Sequence, residues 1–252
     1  MPLHLSEPAR HIALITIDNQ PKRNAMSRTD MQALATAWRT LEADSACRAI
    51  VLTGAGDKAF CAGADIGGDL SASETISRLV HDALLKTTAY SKPIIAAING
   101  DCAGGGVELL LATDIRIAAP HARFGLPEVK WSIYPFGGAT IKLIQQIGHV
   151  HAMDLILTGR LITAQAAVGL NLINRVVEAE NVLTDAIATA SMIAANSPTA
   201  VQAVKQQISA GIAAVASSRE IDEQRLGDAV RASADFAEGV AAFREKRTPD
   251  YG

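Results

Sequence analysis

The chain has 252 residues, of which 49% are hydrophobic and 19% are charged, and its formal net charge is −3. This composition excludes a disordered chain, and without a basic excess it gives no reason to expect nucleic acid or an anionic membrane as a partner. Three cysteines are too few for a disulfide framework, which favours a reduced, cytoplasmic setting. We expect no signal peptide and no membrane-spanning segment, because no run of the chain has the necessary apolar length.

Apolar periodicity predicts alternating strands and helices over most of the chain. In chain order we predict a strand over 11–17, a helix over 27–43 capped by Ser27 or Thr29, strands over 49–53 and 94–98, a helix over 105–112 and a strand over 115–118. Such alternation, joined by glycine turns, indicates an α/β domain with buried sheets. We assign residues 1–195 to this core. Residues 196–252 are predicted to form a helical module that packs on the core or on a neighbouring subunit.

A glycine triplet, Gly104-Gly105-Gly106, leads into the helix predicted from residue 105. Three glycines weaken a helix, so the triplet suggests that something approaches the backbone closely. N–H groups at a helix start are unpaired and carry the positive end of the helix dipole, so they could hold a carbonyl oxygen that gains negative charge. The alternative is a tight crossing of helix and strand that only requires small residues. The triplet alone leaves both interpretations open.

Two glutamates follow the triplet. Glu108 lies in an apolar run, where a buried carboxylate is unfavourable without a chemical task or a partner, and an ion pair with Arg116 is the structural alternative. Glu128 comes after the next predicted strand, in the segment 124–128. Two carboxylates that face one donor-lined pocket suit paired acid and base catalysis. Their spacing leaves open whether they meet.

Other catalytic signatures are missing from the sequence. It has no phosphate-binding loop, no dinucleotide-binding glycine motif, no serine-hydrolase elbow and no zinc-protease helix. His149 and His151 are two residues apart on a predicted helix and therefore face different ways. No cysteines form a C-x-x-C pair. We therefore predict no metal site.

At the glycine and glutamate motifs the sequence resembles the crotonase superfamily, also called the enoyl-CoA hydratase/isomerase family. The resemblance covers nearly the whole chain. It is carried by motifs at 19–25, 59–66, 92–100, 104–108, 112–114, 124–128, 157–160 and 238–247, whose order and spacing are together highly specific. The resemblance implies an α/β fold, a crotonase-like spiral of ββα turns with a C-terminal helical trimerisation module. The trimers of the family often pair into hexamers.

The resemblance also implies a function. Members bind acyl-CoA thioesters and hold the thioester oxygen with two backbone N–H groups, which by motif are those of Ala64 and Gly105. Hydratases of the family use two glutamates, and both positions are glutamate here, as Glu108 and Glu128. We therefore predict a 2-enoyl-CoA hydratase in which Glu108 activates water for attack at C3 and Glu128 delivers a proton to C2. No cofactor is expected apart from the CoA of the substrate.

The resemblance further assigns CoA contacts to Lys22, Ala25, Ala62, Ala64, Asp65, Ile66, Gly105 and Lys246, the last from a neighbouring subunit. Two positions depart from the family pattern. Gly67 stands where a phosphate-binding lysine is common, and Phe136 stands where dienoyl-CoA isomerases carry a carboxylate, so that activity is not supported. Near the second glutamate, Trp131, Tyr134 and Phe136 either reshape the acyl pocket or serve ordinary packing.

Two alternative functions remain at this stage. A Δ3-Δ2-enoyl-CoA isomerase, or a dehydratase of an unusual acyl-CoA, could use the same pair of N–H groups with Glu128 as the proton shuttle. The family also includes non-catalytic and RNA-binding members, since a fold does not prove an activity. The near-neutral charge and the two glutamates favour the enzyme.

Overall fold

The computed structural model of the protein describes residues 3–65 and 73–252. Its strands are β1 Leu3–Ala9, β2 Ile12–Ile17, β3 Ala49–Gly54, β4 Ala59–Cys61, β5 Ile94–Ile98, β6 Asp101–Ala103, β7 Ile115–Ala118, β8 Arg123–Gly125, β9 Leu161–Thr163 and β10 Arg175–Val176. Its α-helices are α1 Arg28–Ala43, α2 Glu74–Ala83, α3 Gly105–Leu110, α4 Ile144–Ile147, α5 His149–Thr158, α6 Ala164–Gly169, α7 Val182–Ala194, α8 Pro198–Arg231 and α9 Ala234–Glu245. Short 3₁₀ turns cover Gln20–Lys22, Pro127–Trp131 and Ala179–Asn181, and a π-helical turn covers Ala139–Leu143.

The strands form two sheets, and the chain adds strands to them alternately as it advances. The larger sheet has the order β1-β2-β3-β5-β7-β10 and is parallel except for the antiparallel pair β1–β2. The smaller sheet has the order β4-β6-β8-β9 and is parallel except for β8–β9. Each pass of the chain adds one strand to each sheet, first β3 and β4, then β5 and β6, then β7 and β8. The predicted α/β spiral is therefore confirmed.

The central strands β3 and β5 of the larger sheet are buried on both faces, which explains why they are almost continuously apolar. Side chains alternate between the faces of a strand, so Val51 and Ile95 pack toward α7 while Leu52 packs toward the layer that contains α1. Every residue of β3 is buried. Trp38 of α1 is also buried and donates its indole N–H to the carbonyl of Ala83 at the end of α2, at 2.9 Å. The candidate catalytic residues follow the strands of the smaller sheet instead, since Ala64 comes after β4, Gly105 after β6 and Glu128 after β8.

Helix α1 has Ser27 as its N-cap, the first of the two candidates predicted from the sequence. The Ser27 hydroxyl accepts a hydrogen bond from the backbone N–H of Asp30 at 3.3 Å, and the Asp30 carboxylate accepts one from the Ser27 N–H at 2.8 Å. This reciprocal capping box satisfies two N–H groups that the first helical turn leaves unpaired. Ser27, and not Thr29, is therefore the cap.

The C-terminal helices fold back onto the spiral of the same chain. Helix α8 is 34 residues long and contacts the π-helical turn, while α9 packs against the turn Pro127–Trp131 that contains Glu128. The start of α8 at Pro198 lies close to the predicted division at residues 195 and 196, although the division itself stays a prediction. Within the described ranges, no helix combines the length and apolarity needed to cross a membrane. Cys47, Cys61 and Cys102 are buried free thiols.

Candidate active site

Glu108 lies inside the protein near the start of α3. The N-cap of this helix is Gly104, whose φ of 57° and ψ of −130° suit only glycine and turn the chain sharply from β6 into the helix. Glu108 is 4% exposed, and its Oε1 accepts a hydrogen bond from the N–H of Ala139 at 3.1 Å. Burial raises the pKa of Glu108 to about 7, while the Ala139 N–H and the Lys86 ammonium oppose the rise.

The proposed ion pair between Glu108 and Arg116 is not formed. The Arg116 guanidinium instead donates to the hydroxyl and carbonyl of Thr113, to the carbonyl of Leu172 and to the side chain of Gln146. These acceptors leave the guanidinium fully engaged on the far side of α3. The partner of the Glu108 carboxylate is a backbone N–H, which leaves its charge available for chemistry.

Glu128 approaches the same helix start from the turn Pro127–Trp131. A Cβ placed on Gly104 would lie 3.1 Å from Glu128 Oε1, so the carboxyl group rests against the N-cap of α3. Although the residue as a whole is half-buried, its Oε2 is enclosed and has no hydrogen-bond partner among the described residues. Burial, followed by the negative charge of Glu108, raises the pKa of Glu128 to about 8. The two carboxyl groups therefore interact.

Two backbone amides come together beside this pair. Gly105 is the first residue of α3, so its N–H has no acceptor within the helix. Ala64 lies in a short extended segment held by hydrogen bonds from Met26 N–H to the Gly63 carbonyl and from Asp65 N–H to the Met26 carbonyl, at 2.8 and 3.0 Å. A Cβ on Gly105 would lie 3.4 Å from the Ala64 nitrogen. Among the described groups neither amide has an acceptor, so both can donate to one oxygen.

The glycine triplet makes close contacts on two sides, and of the two interpretations left open by the sequence the packing one is observed at Gly106, while oxyanion binding stays a prediction. A Cβ on Gly106 would collide with the carbonyl oxygen of Cys61 and would lie 2.8 Å from its carbonyl carbon, so Gly106 is required for packing of α3 on β4. Gly104 and Gly105 instead form the surface on which Glu128 and the Ala64 amide lie. The last glycine is structural, and the first two shape the site.

The segments predicted to contact CoA run alongside each other near Ala64. Lys22 pairs with Asp65 at 2.5 Å and remains largely exposed. The Ala62 N–H donates to the Arg23 carbonyl at 3.1 Å, and the Ala25 carbonyl accepts from the Asn19 side chain at 2.8 Å.

Two of the residues assigned to CoA contacts, Ile66 and Lys246, are not among these segments of the described chain. Ile66 and Gly67 lie outside the described residues. Lys246 ends α9 and lies with Trp131 and Tyr251 around a separate open cleft of the same chain. The contact predicted for Lys246 of a neighbouring subunit stays a prediction.

The aromatic residues after Glu128 pack largely on the C-terminal helices. Trp131 meets Phe243 of α9 edge to face, with ring centroids 5.2 Å apart. The ring of Phe136 fills the space above Gly227 of α8. Tyr134 lies 5.3 Å from Phe136 between ring centroids, and burial together with the charge of Glu223 raises its pKa. The packing interpretation thus holds for Trp131 and Phe136, whereas Tyr134 belongs to a polar cluster.

That polar cluster was missed by sequence reasoning. Lys86, which follows α2, is 1% exposed and pairs with Glu223 of α8 at 2.7 Å. Glu223 also accepts a hydrogen bond from the hydroxyl of Thr140, which is next to the residue that binds Glu108. The only available signal was a lysine directly after the apolar run 83–85. Nothing in the sequence joined it to a glutamate in a distant, mostly polar helix.

Comparisons with known proteins agree with this architecture. Residues 7–252 match the family model of enoyl-CoA hydratase/isomerase. The enoyl-CoA hydratase EchA19 of Mycobacterium tuberculosis is 39% identical, with 98% of this chain and 95% of that protein covered. The 2,3-dehydroadipyl-CoA hydratase of Escherichia coli is 33% identical, with 96% and 95% covered. The crystal structure of a carnitinyl-CoA hydratase from Mycobacterium avium superposes with a TM-score of 0.90 at 36% identity, covering 99% of this chain and 98% of the other.

The chain therefore belongs to the enoyl-CoA hydratase/isomerase family. Both the resemblance found in the sequence and the crotonase-like fold are confirmed. The prediction of an enzyme of the hydratase type is confirmed by relatives of that name over the full chain.

Proposed function

We propose that this member of the enoyl-CoA hydratase/isomerase family adds water reversibly across the double bond of a 2-enoyl-CoA thioester. One observation carries the proposal: the buried glutamates Glu108 and Glu128 meet beside the amides of Ala64 and Gly105, which have no acceptor among the described groups. The amides supply two donors for a carbonyl oxygen. The glutamates supply a base and an acid for the two ends of a carbon–carbon double bond.

The amides would act on the thioester oxygen. When water attacks C3, electron density moves through C2 into the carbonyl, and the oxygen gains negative charge. Donors held by α3 and by the segment paired with Met26 stabilise that charge without having to reorganise. Loss of one such donor typically costs about 3–4 kcal/mol of transition-state stabilisation.

The glutamates would divide the acid and base roles according to their surroundings. Burial raises the pKa of both, and the negative charge of Glu108 raises the pKa of Glu128 further. The N–H that Ala139 donates to Glu108 favours the carboxylate there, whereas the Oε2 of Glu128 has no donor among the described residues and suits the proton. Glu108 then accepts a proton from the attacking water while Glu128 donates its proton to C2. Transfer of the proton from Glu108 back to Glu128 restores the starting state.

The same proposal places the CoA moiety along the neighbouring segments. The substrate would contact Lys22, Ala25, Ala62, Asp65 and Ile66, with Lys246 supplied by a neighbouring subunit. The exposed ammonium of Lys22 lies beside the candidate site and suits an anionic phosphate.

We also propose a homotrimer or a dimer of trimers. Five large apolar side chains of α8 are exposed, and four of them, Val204, Ile208, Val215 and Leu226, recur at regular intervals, while Ile221 lies on another face. Separations of 4, 7 and 11 residues are close to whole numbers of helical turns, so the four lie on one stripe. A stripe of this kind on a long surface helix suits contact with another subunit.

The test replaces each glutamate by glutamine. Glu108→Gln and Glu128→Gln keep the volume of the side chains but remove their acid–base function, so kcat should fall about 10²–10⁴-fold in each without a loss of Tm. Hydration is followed by the loss of enoyl absorbance, and the products are identified by chromatography. Because the two groups act as a unit, the double variant should lose much less than the product of the two single losses.

A matched control and two contrary outcomes make the test decisive. Glu42→Gln alters another enclosed carboxylate, which lies away from the site and accepts a hydrogen bond from the Ser91 N–H at 3.1 Å. This variant should leave kcat unchanged. A chain that shifts a 3-enoyl double bond without adding water, and that is crippled only by Glu128→Gln, would identify an isomerase. Activity near wild type in both glutamine variants would contradict every catalytic role proposed for these residues.

A further inference from the structure

A buried ion pair joins the C-terminal helix to the vicinity of Glu108. Lys86 and Glu223 are 1% and 4% exposed and lie 2.7 Å apart. Lys86 also lies 3.2 Å from Nε2 of His81, whose Nδ1 lies 3.0 Å from Glu220 of α8. Burial and the neighbouring Lys86 lower the pKa of His81, so this ring is neutral and accepts from the ammonium. Two residues of α8 thus hold the Lys86 ammonium in one position.

The turn from Gly137 to Thr140 connects this pair to the candidate base. A Cβ on Gly137 would lie 2.6 Å from Glu108 Oε2, and a Cβ on Gly138 would lie 3.3 Å from Cγ of Lys86. The next two residues repeat the arrangement, because Ala139 donates its N–H to Glu108 and Thr140 donates its hydroxyl to Glu223. Each half of the turn therefore touches both Glu108 and the ion pair.

A buried ion pair is weak evidence for a stabilising role. Desolvation of two charges often exceeds their mutual attraction, and apolar side chains of similar size fill such sites as well or better. Breaking the pair on one side, however, leaves an uncompensated charge inside the protein. Because Glu108 lies against the same turn, it would experience that charge at short range.

We propose that Lys86 and Glu223 are positioning residues that balance the charge around Glu108, so that helix α8 completes the acid–base site. The inference rests on the proposed hydratase function, since it assigns Glu108 the role of base. Neither residue needs to touch the substrate. Their effect is exerted through the ionisation and placement of Glu108.

The charges around Glu108 set the direction of the expected effects. The charged and titratable groups that interact with Glu108 come from several elements and are Glu128, Lys86, Glu223, Lys142 and Tyr134. Within this set the positive charge of Lys86 favours the Glu108 carboxylate and the negative charge of Glu223 opposes it. Removing the charge of Lys86 should raise the pKa of Glu108, and removing the charge of Glu223 should lower it. When both charges are removed, the two effects should nearly cancel.

The experiment measures the pH dependence of kcat/KM in the full-length protein with a 2-enoyl-CoA substrate. The acidic limb reports ionisation of the base in the free enzyme. Lys86→Met should move this limb up by about one pH unit, Glu223→Gln should move it down by about one unit, and the double variant should return it toward wild type. If Lys86→Met fails to fold, Glu223→Gln and the double variant still provide the downward shift and its reversal.

Ser209→Ala is the matched control. Ser209 also joins α8 to the core, because its hydroxyl donates to the carbonyl of Tyr90 at 3.1 Å, so its loss should lower Tm without moving the limb. If Lys86 and Glu223 have a purely structural role, their variants should behave like the control, with a lower Tm and an unmoved acidic limb. The inference would be overturned if the acidic limbs of the Lys86 and Glu223 variants stayed in place or moved in the same direction.

A second readout does not depend on turnover. Carbon-13 NMR titration of the Glu108 carboxyl, assigned with Glu108→Gln, should show the same opposite shifts. If no enoyl-CoA is hydrated by the wild type, the proposed function fails first. Normal hydration with an unmoved Glu108 titration would refute only the role of the ion pair.

Discussion

Adding a single methyl group at Gly105 or at Gly106 should distinguish an effect on catalysis from an effect on packing. In Gly105→Ala the new Cβ would meet Cα of Gly63 at 3.3 Å and the nitrogen of Ala64 at 3.4 Å, which small shifts can relieve. Replacing glycine by alanine in a helix gains about 0.8–1 kcal/mol. We therefore expect a stability within about 1 kcal/mol of wild type.

The activity of Gly105→Ala should nevertheless collapse. The methyl group would occupy the space beside the Ala64 amide in which the thioester oxygen is proposed to lie. Loss of the equivalent of one donor costs about 3–4 kcal/mol, which lowers kcat about 10²–10³-fold. Gly106→Ala differs, because its methyl group collides with the backbone of Cys61, which has no flexible end that can move aside. Overpacking of about 3 kcal/mol, less about 1 kcal/mol of helix propensity, leaves a loss of about 2 kcal/mol, or about 4–8 °C in Tm.

The assay pairs kcat from enoyl absorbance with Tm from thermal unfolding. Gly169→Ala, at the exposed end of α6 where nothing lies within 4 Å of the new Cβ, is the control and should leave kcat unchanged, with a stability within about 1 kcal/mol of wild type. Gly105→Ala with at least a third of the wild-type kcat would refute the oxyanion role of this amide. A Gly106→Ala variant as stable as wild type would refute the packing argument.

Four further outcomes are expected. Asn24 is 1% exposed and bonds Ala55, Ala59 and the Asn19 N–H, so Asn24→Ala should lower the free energy of unfolding by about 2–3 kcal/mol in urea titrations. Because the pKa of Glu128 is raised from 4.5 to about 8, the wild type loses stability as pH rises between these values. The difference in Tm between Glu128→Gln and wild type should therefore grow in favour of the variant from pH 5 to pH 8, and a constant difference would contradict the raised pKa. Lys22→Met should raise KM several-fold at unchanged kcat, with a weaker dependence on salt, if the ammonium contacts a CoA phosphate. Truncation after residue 195 should leave aggregated or monomeric, inactive protein, and a folded, fully active monomer by light scattering would refute the role given to α8.

The sequence predicted those parts of the fold that depend on local burial. The strands 94–98 and 115–118 have the predicted ends, because buried parallel strands are continuously apolar and are bounded by turns. The helix predicted over 105–112 ends two residues earlier, at Leu110. Strand β1 was not predicted, since its middle is exposed and polar and it is recognisable only through its pairing with β2.

The candidate site was predictable only where residues close in sequence share a task. The glycine triplet and Glu108 follow β6, and Glu128 follows β8 on the next turn of the spiral, so their motifs lie close together in the sequence. Lys86 and Glu223 come from segments that only the return of α8 brings together. Periodicity does not encode which charged residue a distant helix will bury, because α8 carries charged residues along its whole second half and only Glu223 among them is buried.

The site is best understood from the polar groups that the fold leaves unsatisfied. Buried amides and carboxyl oxygens are normally paired, since an unpaired one costs about 1–3 kcal/mol. Among the described residues, the amides of Ala64 and Gly105 and the Oε2 of Glu128 lack protein partners, and all three meet at the start of α3. Two donors suit a carbonyl oxygen. A carboxylic acid beside a carboxylate suits the addition of water, in which one carbon receives the hydroxyl group and the other a proton. An unsaturated thioester and water satisfy this set together, whereas packing alone would have favoured apolar side chains in the same space.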